Sequence, residues 1–223
     1  MTDAEELLAK GLLELSIPNA EMAAARLVNF GIALLEASSH TNLTGAKDLG
    51  CLVREHVLDS LAPLKLIRLR SPVVDVGSGA GFPGIPAAIT HPAVEFVLLE
   101  PRAKRAAFLE AEVRRLSLAN VAVIKSSALG PGAAGLAGRA GTVLVRAVAE
   151  PEKALAFGLS LLRPGGMLLL YEGRRSAASA RESAIARAAG GGAIRVKRLA
   201  VPGLLAVRHA WIVEKKYEPG SKS

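Results

Sequence analysis

Val73-Val74-Asp75-Val76-Gly77-Ser78-Gly79-Ala80-Gly81-Phe82-Pro83-Gly84 joins an apolar run of strand length to a glycine-dense turn, with Pro83 and Pro86 where a helix can begin without losing backbone hydrogen bonds. Glycines let a ligand lie directly against the main chain, and a helix N-terminus offers unpaired N–H groups and a partial positive charge. The guests that suit such a turn are phosphates, or the carboxylate and ribose of a nucleotide-like cofactor.

Downstream of this turn, short apolar runs alternate with helical patterns, which marks a parallel sheet covered on both faces. The pattern predicts strands over 73–77, 95–100, 121–125, 142–146 and 166–172, with helices over 83–91, 103–116, 151–162 and 176–189. After the Gly190-Gly191-Gly192 break, runs at 194–201 and 205–213 lie too close together for a helical crossover, so they pair antiparallel around Pro202-Gly203. Seven strands result, mostly parallel, closed by a hairpin. The stretch Gly130 to Arg139 reads as a mobile loop by composition.

Upstream, the pattern is helical. Thr2 and Glu5 form a capping box for a first helix that ends near Pro18. Asn19 caps a second helix with Met22, Leu27, Phe30 and Leu34 on its apolar side, and a polar stretch from Ser38 to Gly45 stops it. Asp48 starts a third helix with Leu49, Leu52, Val53, Val57 and Leu61 facing inward and His56 and Asp59 together on another face. Residues 1–70 thus read as a helical cap, 71–214 as a cofactor-binding core and 215–223 as a basic tail, within one compact domain.

The 223 residues include 51% hydrophobic ones, ample for a core. The net charge of +8 is unevenly spread: residues 1–70 hold seven Lys and Arg against nine Asp and Glu, and the remainder holds twenty-one against eleven. That basic second part would attract a polyanion. A single cysteine, Cys51, allows no internal disulfide and no cysteine-rich metal site, and the scattered histidines show no metal-ligand spacing. No signal peptide and no apolar run of membrane-spanning length is visible, so a cytoplasmic monomer without a bound metal is expected.

Gly79-Ala80-Gly81-Phe82-Pro83-Gly84 fits the G-x-G-x-x-G of dinucleotide-binding proteins, a weak match by itself. Glu100 closes the next strand nineteen residues after Gly81, where a carboxylate can accept hydrogen bonds from both hydroxyls of an adenosine ribose. NAD enzymes and methyltransferases share that device. Asp75, two residues before the first glycine, and the terminal hairpin favour S-adenosylmethionine, because a dinucleotide enzyme would need more chain for a separate substrate domain.

The turn from Asp75 to Pro86 is preceded by Asn42-Leu43-Thr44 and His56-Val57-Leu58-Asp59-Ser60-Leu61. It is followed by Leu98-Leu99-Glu100, Lys104-Arg105, Phe108-Leu109 and Val145-Arg146-Ala147. Together these motifs resemble the ribosomal small-subunit RNA methyltransferase G family, also called glucose-inhibited division protein B, over residues 20 to 215. The resemblance implies a class I methyltransferase, a Rossmann-like α/β fold with a seven-stranded sheet, that places a methyl group from S-adenosylmethionine on N7 of a guanine in the 530 loop of 16S rRNA. Carried over by position, Gly77 and Phe82 belong to the cofactor turn, Glu100 to the ribose, Ala128 and Leu129 to the place beside the adenine and Arg146 to the end of the fourth strand; with Asp75, Gly79 and Gly81 of the same turn they are the candidates to hold the cofactor. Many relatives carry an acidic residue where Leu129 stands.

Guanine N7 has a free lone pair, so its methylation requires positioning and no general base. Arg146 is a positioning candidate that would contact the cofactor carboxylate or the target base, or else serve as a salt-bridged scaffold. Asn42 and Thr44 either hydrogen-bond the base or simply make a turn. His56 and Asp59 either brace the Asn42 loop or form a structural hydrogen bond. Phe82 stacks or packs. Arg102, Lys104, Arg105, Arg174, Arg175, Arg195, Lys197 and Arg198, with Lys215 and Lys216, are the candidates for phosphate contacts to 16S rRNA or the small ribosomal subunit. Few aromatics are present, which points to recognition of RNA shape more than base stacking. A small-molecule methyltransferase, a silent RNA-binding assembly factor and an NAD enzyme are the competing readings.

Overall fold

Thr2 accepts the N–H of Glu5 while the Glu5 carboxylate accepts that of Thr2, a reciprocal cap that starts α1 (Asp3–Glu14) in the computed structural model, which describes residues 2–147, 150–173 and 175–217. α2 (Ala20–Thr41) follows. Asn19 precedes it in a left-handed conformation with φ 52°, and its side chain makes no cap hydrogen bond, so it serves the turn after Pro18 and not the helix N-terminus as expected. α2 also runs through Ser38, Ser39 and His40, which the sequence places in a loop. The hydroxyls of Ser39 and Thr41 donate to the carbonyls of Glu36 and Ala37, which absorbs these polar side chains into the helix. Met22, expected on the apolar side, is exposed.

Asp48 caps α3 (Leu49–Leu52) by accepting the N–H of Cys51. A continuous third helix was the expectation. The backbone instead widens into a π-helical segment at Val53–Leu58, returns to α form in the single turn α4 (Asp59–Leu61), and tightens to 3-10 geometry at Ala62–Leu66. Such a π segment in a helix needs partners for its displaced carbonyls, and they come from the sheet.

The remainder alternates as the sequence predicts: β1 (Val73–Val76), α5 (Gly84–Thr90), β2 (Phe96–Leu99), α6 (Ala103–Arg115), β3 (Val121–Ile124), β4 (Ala140–Arg146), α7 (Pro151–Leu161), β5 (Leu162–Gly173), α8 (Ala180–Ala188), β6 (Arg195–Val201) and β7 (Leu204–Glu214). α8 begins four residues later than the sequence suggests, because Ser179 and Glu182 cap each other at its start. The glycine-rich stretch after β3 holds a 3-10 helix at Pro131–Leu136, with Ala133 and Leu136 packed on the sheet, where a mobile loop was expected.

One seven-stranded sheet has the order β3-β2-β1-β4-β5-β7-β6, parallel from β3 to β5, with β7 antiparallel to both β5 and β6. Alternation divides its side chains between two cores. Val73, Phe96, Leu98, Leu144 and Leu169 pack with α1, α2, α5 and α6 through Leu8, Leu12, Leu27, Phe30, Ile85 and Leu109. Val74, Val76, Leu99, Val143 and Trp211 pack with α7 and α8. Each fully buried Leu or Val contributes about 1.5–3 kcal/mol relative to exposure. The N-terminal helices therefore lie directly on the sheet, above the carboxyl ends of its central strands. Among the described residues no helix is long and apolar enough to cross a membrane.

Candidate functional site

β1 is buried along its whole length, so the one carboxylate within it, Asp75, is sealed beneath the following turn with 1% exposure. Its Oδ2 accepts the N–H of Gly84 at 3.0 Å, which ties the start of α5 back to the strand. Its Oδ1 is buried without a hydrogen-bond partner among the described residues, and burial pushes the carboxyl up to about 7. Above it, Gly77, Gly79 and Gly81 take φ of 70°, 58° and 99°, backbone that residues with a Cβ rarely adopt.

Glu100, 3% exposed, holds the turn from the side. Its Oε2 accepts the N–H of Gly79 and its Oε1 that of Arg102, both at 2.9 Å, so one carboxylate joins the glycine turn to the start of α6. Asp75 and Glu100 thus shape the turn from within, and neither lines the space above it.

Two cavities meet at Gly77. One, of about 260 Å³, has a floor of Gly77, Ser78, Gly79 and Ala80 and walls of Leu43, Thr44, His56, Phe82, Arg105 and Arg146. The other, of about 170 Å³ and strongly apolar, lies between Val76, Gly77 and Pro101 on one side and Ser127, Ala128, Leu129 and Phe157 on the other. The first suits a charged, flexible group and the second a flat ring.

Arg146, at the end of β4, supplies the partners that the π segment needs. Its Nη1 donates to the His56 carbonyl at 3.2 Å and to the Ser60 hydroxyl at 2.7 Å. Its Nη2 donates to the Glu55 carbonyl and to Asp59 Oδ2, both at 2.9 Å. All four terminal N–H groups are therefore engaged, and Nε–H is the donor left without a partner among the described residues. Arg208 of β7 takes the other oxygen of Asp59 at 2.9 Å, and the Tyr171 hydroxyl of β5 donates to the Ser60 carbonyl at 2.8 Å. Burial raises the Tyr171 phenol well above its ordinary value and keeps it a donor.

His56 does not bond Asp59. Its ring lies against Phe82 with centroids 5.2 Å apart, and Phe82 meets Phe30 edge-on at 5.6 Å with the Arg146 guanidinium 6.0 Å from its ring centroid. Phe82 thus packs, forming a wall of the polar cavity. Burial, aided by the nearby Arg146 charge, lowers the His56 value, so its imidazole is neutral at neutral pH.

Among the residues singled out from sequence, Gly77, Gly79, Phe82, Arg105 and Arg146 line the polar cavity and Ala128 and Leu129 the apolar one, with Leu129 79% exposed. Gly81 is buried away from both, and a Cβ there would stand 2.8 Å from Ile85 Cγ1. Asn42 is exposed at the left-handed C-cap of α2, outside the cavity that Thr44 lines. Arg102 and Lys104 are exposed at the start of α6, and Arg195, Lys197 and Arg198 are exposed on the edge strand β6. Arg175 is tied to Glu182 at 2.7 Å and lies over the Trp211 ring, while Arg174 lies outside the described residues.

Ser60, Ser127, Phe157, Tyr171 and Arg208 were not singled out. Tyr171 and Arg208 carried a weak signal, since each is a polar residue beside the apolar run of its strand, Met167–Leu170 in β5 and Leu204–Val207 in β7. Among the described residues no group of three or more His, Cys, Asp or Glu side chains is placed to hold a metal ion.

The profile of the family described as GidB, rRNA small subunit methyltransferase G, matches residues 23–199. A relative of that name from Anaeromyxobacter sp. is 36% identical over 195 residues, covering 87% of this chain and 90% of its own. Another from Neisseria meningitidis serogroup B is 34% identical over 215 residues, covering 96% of this chain and all of its own. Among solved structures, a methyltransferase from Pyrococcus furiosus has the same fold with a TM-score of 0.57, at 16% identity, over 86% of this chain and 98% of that one.

Proposed function

The chain belongs to the rRNA small subunit methyltransferase G family, and on that footing we propose that it methylates N7 of a guanine in the 530 loop of 16S rRNA within the small ribosomal subunit. At the coarser level it is an S-adenosylmethionine-dependent rRNA methyltransferase with the class I fold. One observation carries the finer reading: a polar and an apolar cavity meet on the glycine turn, and among the described residues no carboxylate lines the polar one.

The residues present fit S-adenosylmethionine. Positive-φ glycines leave the main chain of the turn bare, and a Cβ on Gly79 would make only ordinary contacts, with Arg105 Nη1 and the Gly77 carbonyl at 3.7 Å. Gly77 and Gly79 would hold the cofactor's chain, and Pro101, Ala128, Leu129 and Phe157 its adenine. When bound, it supplies an electrophilic methyl group on a cationic sulfur.

The chain's own residues then position and shield. Guanine N7 bears no proton, so no side chain has to remove one, in keeping with a neutral His56 and with Asp75 and Glu100 turned into the protein. Arg146 fixes the π segment and with it His56, which with Phe82 forms an aromatic wall that excludes water. Thr44 is the cavity-lining hydroxyl available to a base. Arg102, Lys104, Arg195, Lys197 and Arg198 offer phosphate contacts of the kind that set affinity more than sequence choice.

Undermethylated small subunits incubated with the protein and labelled S-adenosylmethionine should take up label at a single guanine, mapped by N7-specific chemical cleavage. Absence of incorporation by folded protein would overturn the reading. Label on another atom or base would leave the family activity and refute the N7 assignment.

A further inference from the structure

Four features of the polar cavity single out one residue. Arg146 has every terminal N–H engaged by Glu55, His56, Asp59 and Ser60. His56 is held neutral by burial and by the Arg146 charge. The two nearby acids, Asp75 and Glu100, bond backbone N–H groups and do not face the space. Arg105 also lines it, half-buried in the first turn of α6, with its Nη1 3.7 Å from the position a Cβ on Gly79 would take.

Among the described residues Arg105 makes no side-chain hydrogen bond or ion pair, so all five of its N–H donors are open. The cavity is therefore walled by a cation whose donors are free, over a turn of bare backbone, with no acid among the described residues lining it. Such a site takes an anion.

We propose that Arg105, grouped by sequence with the RNA-contacting residues, instead binds the carboxylate of the cofactor's methionine moiety, the role that sequence reasoning offered to Arg146. The proposal rests on the S-adenosylmethionine reading above and deepens it. Placement favours the carboxylate over an RNA phosphate: Arg105 leans over Gly79 on the cavity floor, whereas Arg102 and Lys104 of the same helix end are exposed and better placed for a polyanion outside.

Two ligands separate the possibilities. S-adenosylhomocysteine carries the carboxylate, and 5′-methylthioadenosine keeps the adenosine and sulfur but lacks it. In calorimetry on the purified protein, Arg105→Gln should weaken S-adenosylhomocysteine about 10- to 100-fold, the range of a charge-assisted hydrogen bond, and leave 5′-methylthioadenosine within about twofold. Arg105→Lys should recover part of the loss. Unchanged binding of S-adenosylhomocysteine with weakened binding of 16S rRNA would assign Arg105 to a phosphate and overturn the proposal. Equal loss of both small ligands would make Arg105 a support of the turn and overturn it as well. Wild-type protein that binds neither small ligand would refute the cofactor reading itself, an outcome distinct from a failure of Arg105 alone.

Discussion

Arg146 and Asp59 meet at 2.9 Å across 87 residues of sequence, joining the end of β4 to the helix that roofs the glycine turn. Asp59 is shared: its other oxygen holds Arg208 of the terminal hairpin, also at 2.9 Å. One carboxylate thus fastens the N-terminal helices, a central strand and the closing hairpin at one point, beside the polar cavity. The π segment follows from it, since its widened turn directs the Glu55 and His56 carbonyls to the same guanidinium that bonds Asp59.

Asp59→Asn leaves two guanidiniums facing a neutral amide. Removing one partner of a fully buried pair costs about 3–5 kcal/mol, and with these arginine side chains 16% and 24% exposed the expected loss is about 2 kcal/mol. Arg208→Gln removes a single contact and should cost about 1 kcal/mol. Urea unfolding of both variants tests the difference, and equal losses would show that Asp59 does not act as the shared point.

Asp75 gives stability a pH dependence of unusual sign for a carboxylate. Its folded value is raised from 3.8 to about 7, so the folded protein keeps a proton that the unfolded chain has released. The stabilisation is complete below the unfolded value and is lost as pH rises through about 7, with no further change above. Replacing Asp75 by Asn removes this contribution. Thermal melts should therefore favour the variant relative to wild type more at about pH 8 than at about pH 5. A difference in melting temperature that is flat between those two conditions would refute the raised value.

Neighbouring glycines should fail in different ways. A Cβ on Gly84 would press on the Leu98 side chain and stand 2.6 Å from Asp75 Oδ2, so Gly84→Ala should cost about 1–3 kcal/mol of stability through overpacking. A Cβ on Gly79 meets nothing closer than 3.7 Å, and Gly79→Ala should cost only about 1 kcal/mol, the strain of its left-handed φ. Gly79→Val would fill the cavity floor and abolish binding of S-adenosylhomocysteine while 16S rRNA binding persists. Thermal melts and calorimetry on the three variants separate the two effects. Matched losses of stability at both positions would mean that the floor of the cavity is as tightly packed as its underside.

The seven strands and their hairpin were legible because parallel strands buried on both faces must be short apolar runs, and the Gly77 to Gly84 turn because closely spaced glycines mark backbone of positive φ. Glu100 was recognisable as an acid closing the second strand, but its bonds to the Gly79 and Arg102 backbone depend on how the turn curls, which no spacing encodes. The π segment was invisible for the same reason. Nothing in Val53 to Leu58 announces it, since the guanidinium that stabilises it lies about ninety positions away at Arg146. Asn42 stayed open between two readings because a polar residue next to a helix end looks alike whether it faces a cavity or ends the helix in a left-handed turn, the place it takes here.

Leu129 is the residue of the apolar cavity whose replacement is easiest to read. It borders the apolar cavity, yet 79% of it is exposed, so its side chain gains little burial there and offers no acceptor to a ligand. Apart from Ser127, the residues lining that cavity offer only apolar side chains or main chain to a ring. An acidic side chain at 129 would add an acceptor for the amino group of an adenine, a hydrogen bond worth about 0.5–1.5 kcal/mol net at a partly exposed site. Leu129→Asp should therefore tighten 5′-methylthioadenosine and S-adenosylhomocysteine alike, by about 3- to 10-fold, because both carry the adenine and the change lies on its side of Gly77. Gain for S-adenosylhomocysteine alone would place residue 129 near the charged tail and reverse the assignment of the two cavities. No gain for either ligand would mean that main-chain groups at Ser127 and Ala128 already satisfy the ring, and that an acid at 129 adds nothing to cofactor binding.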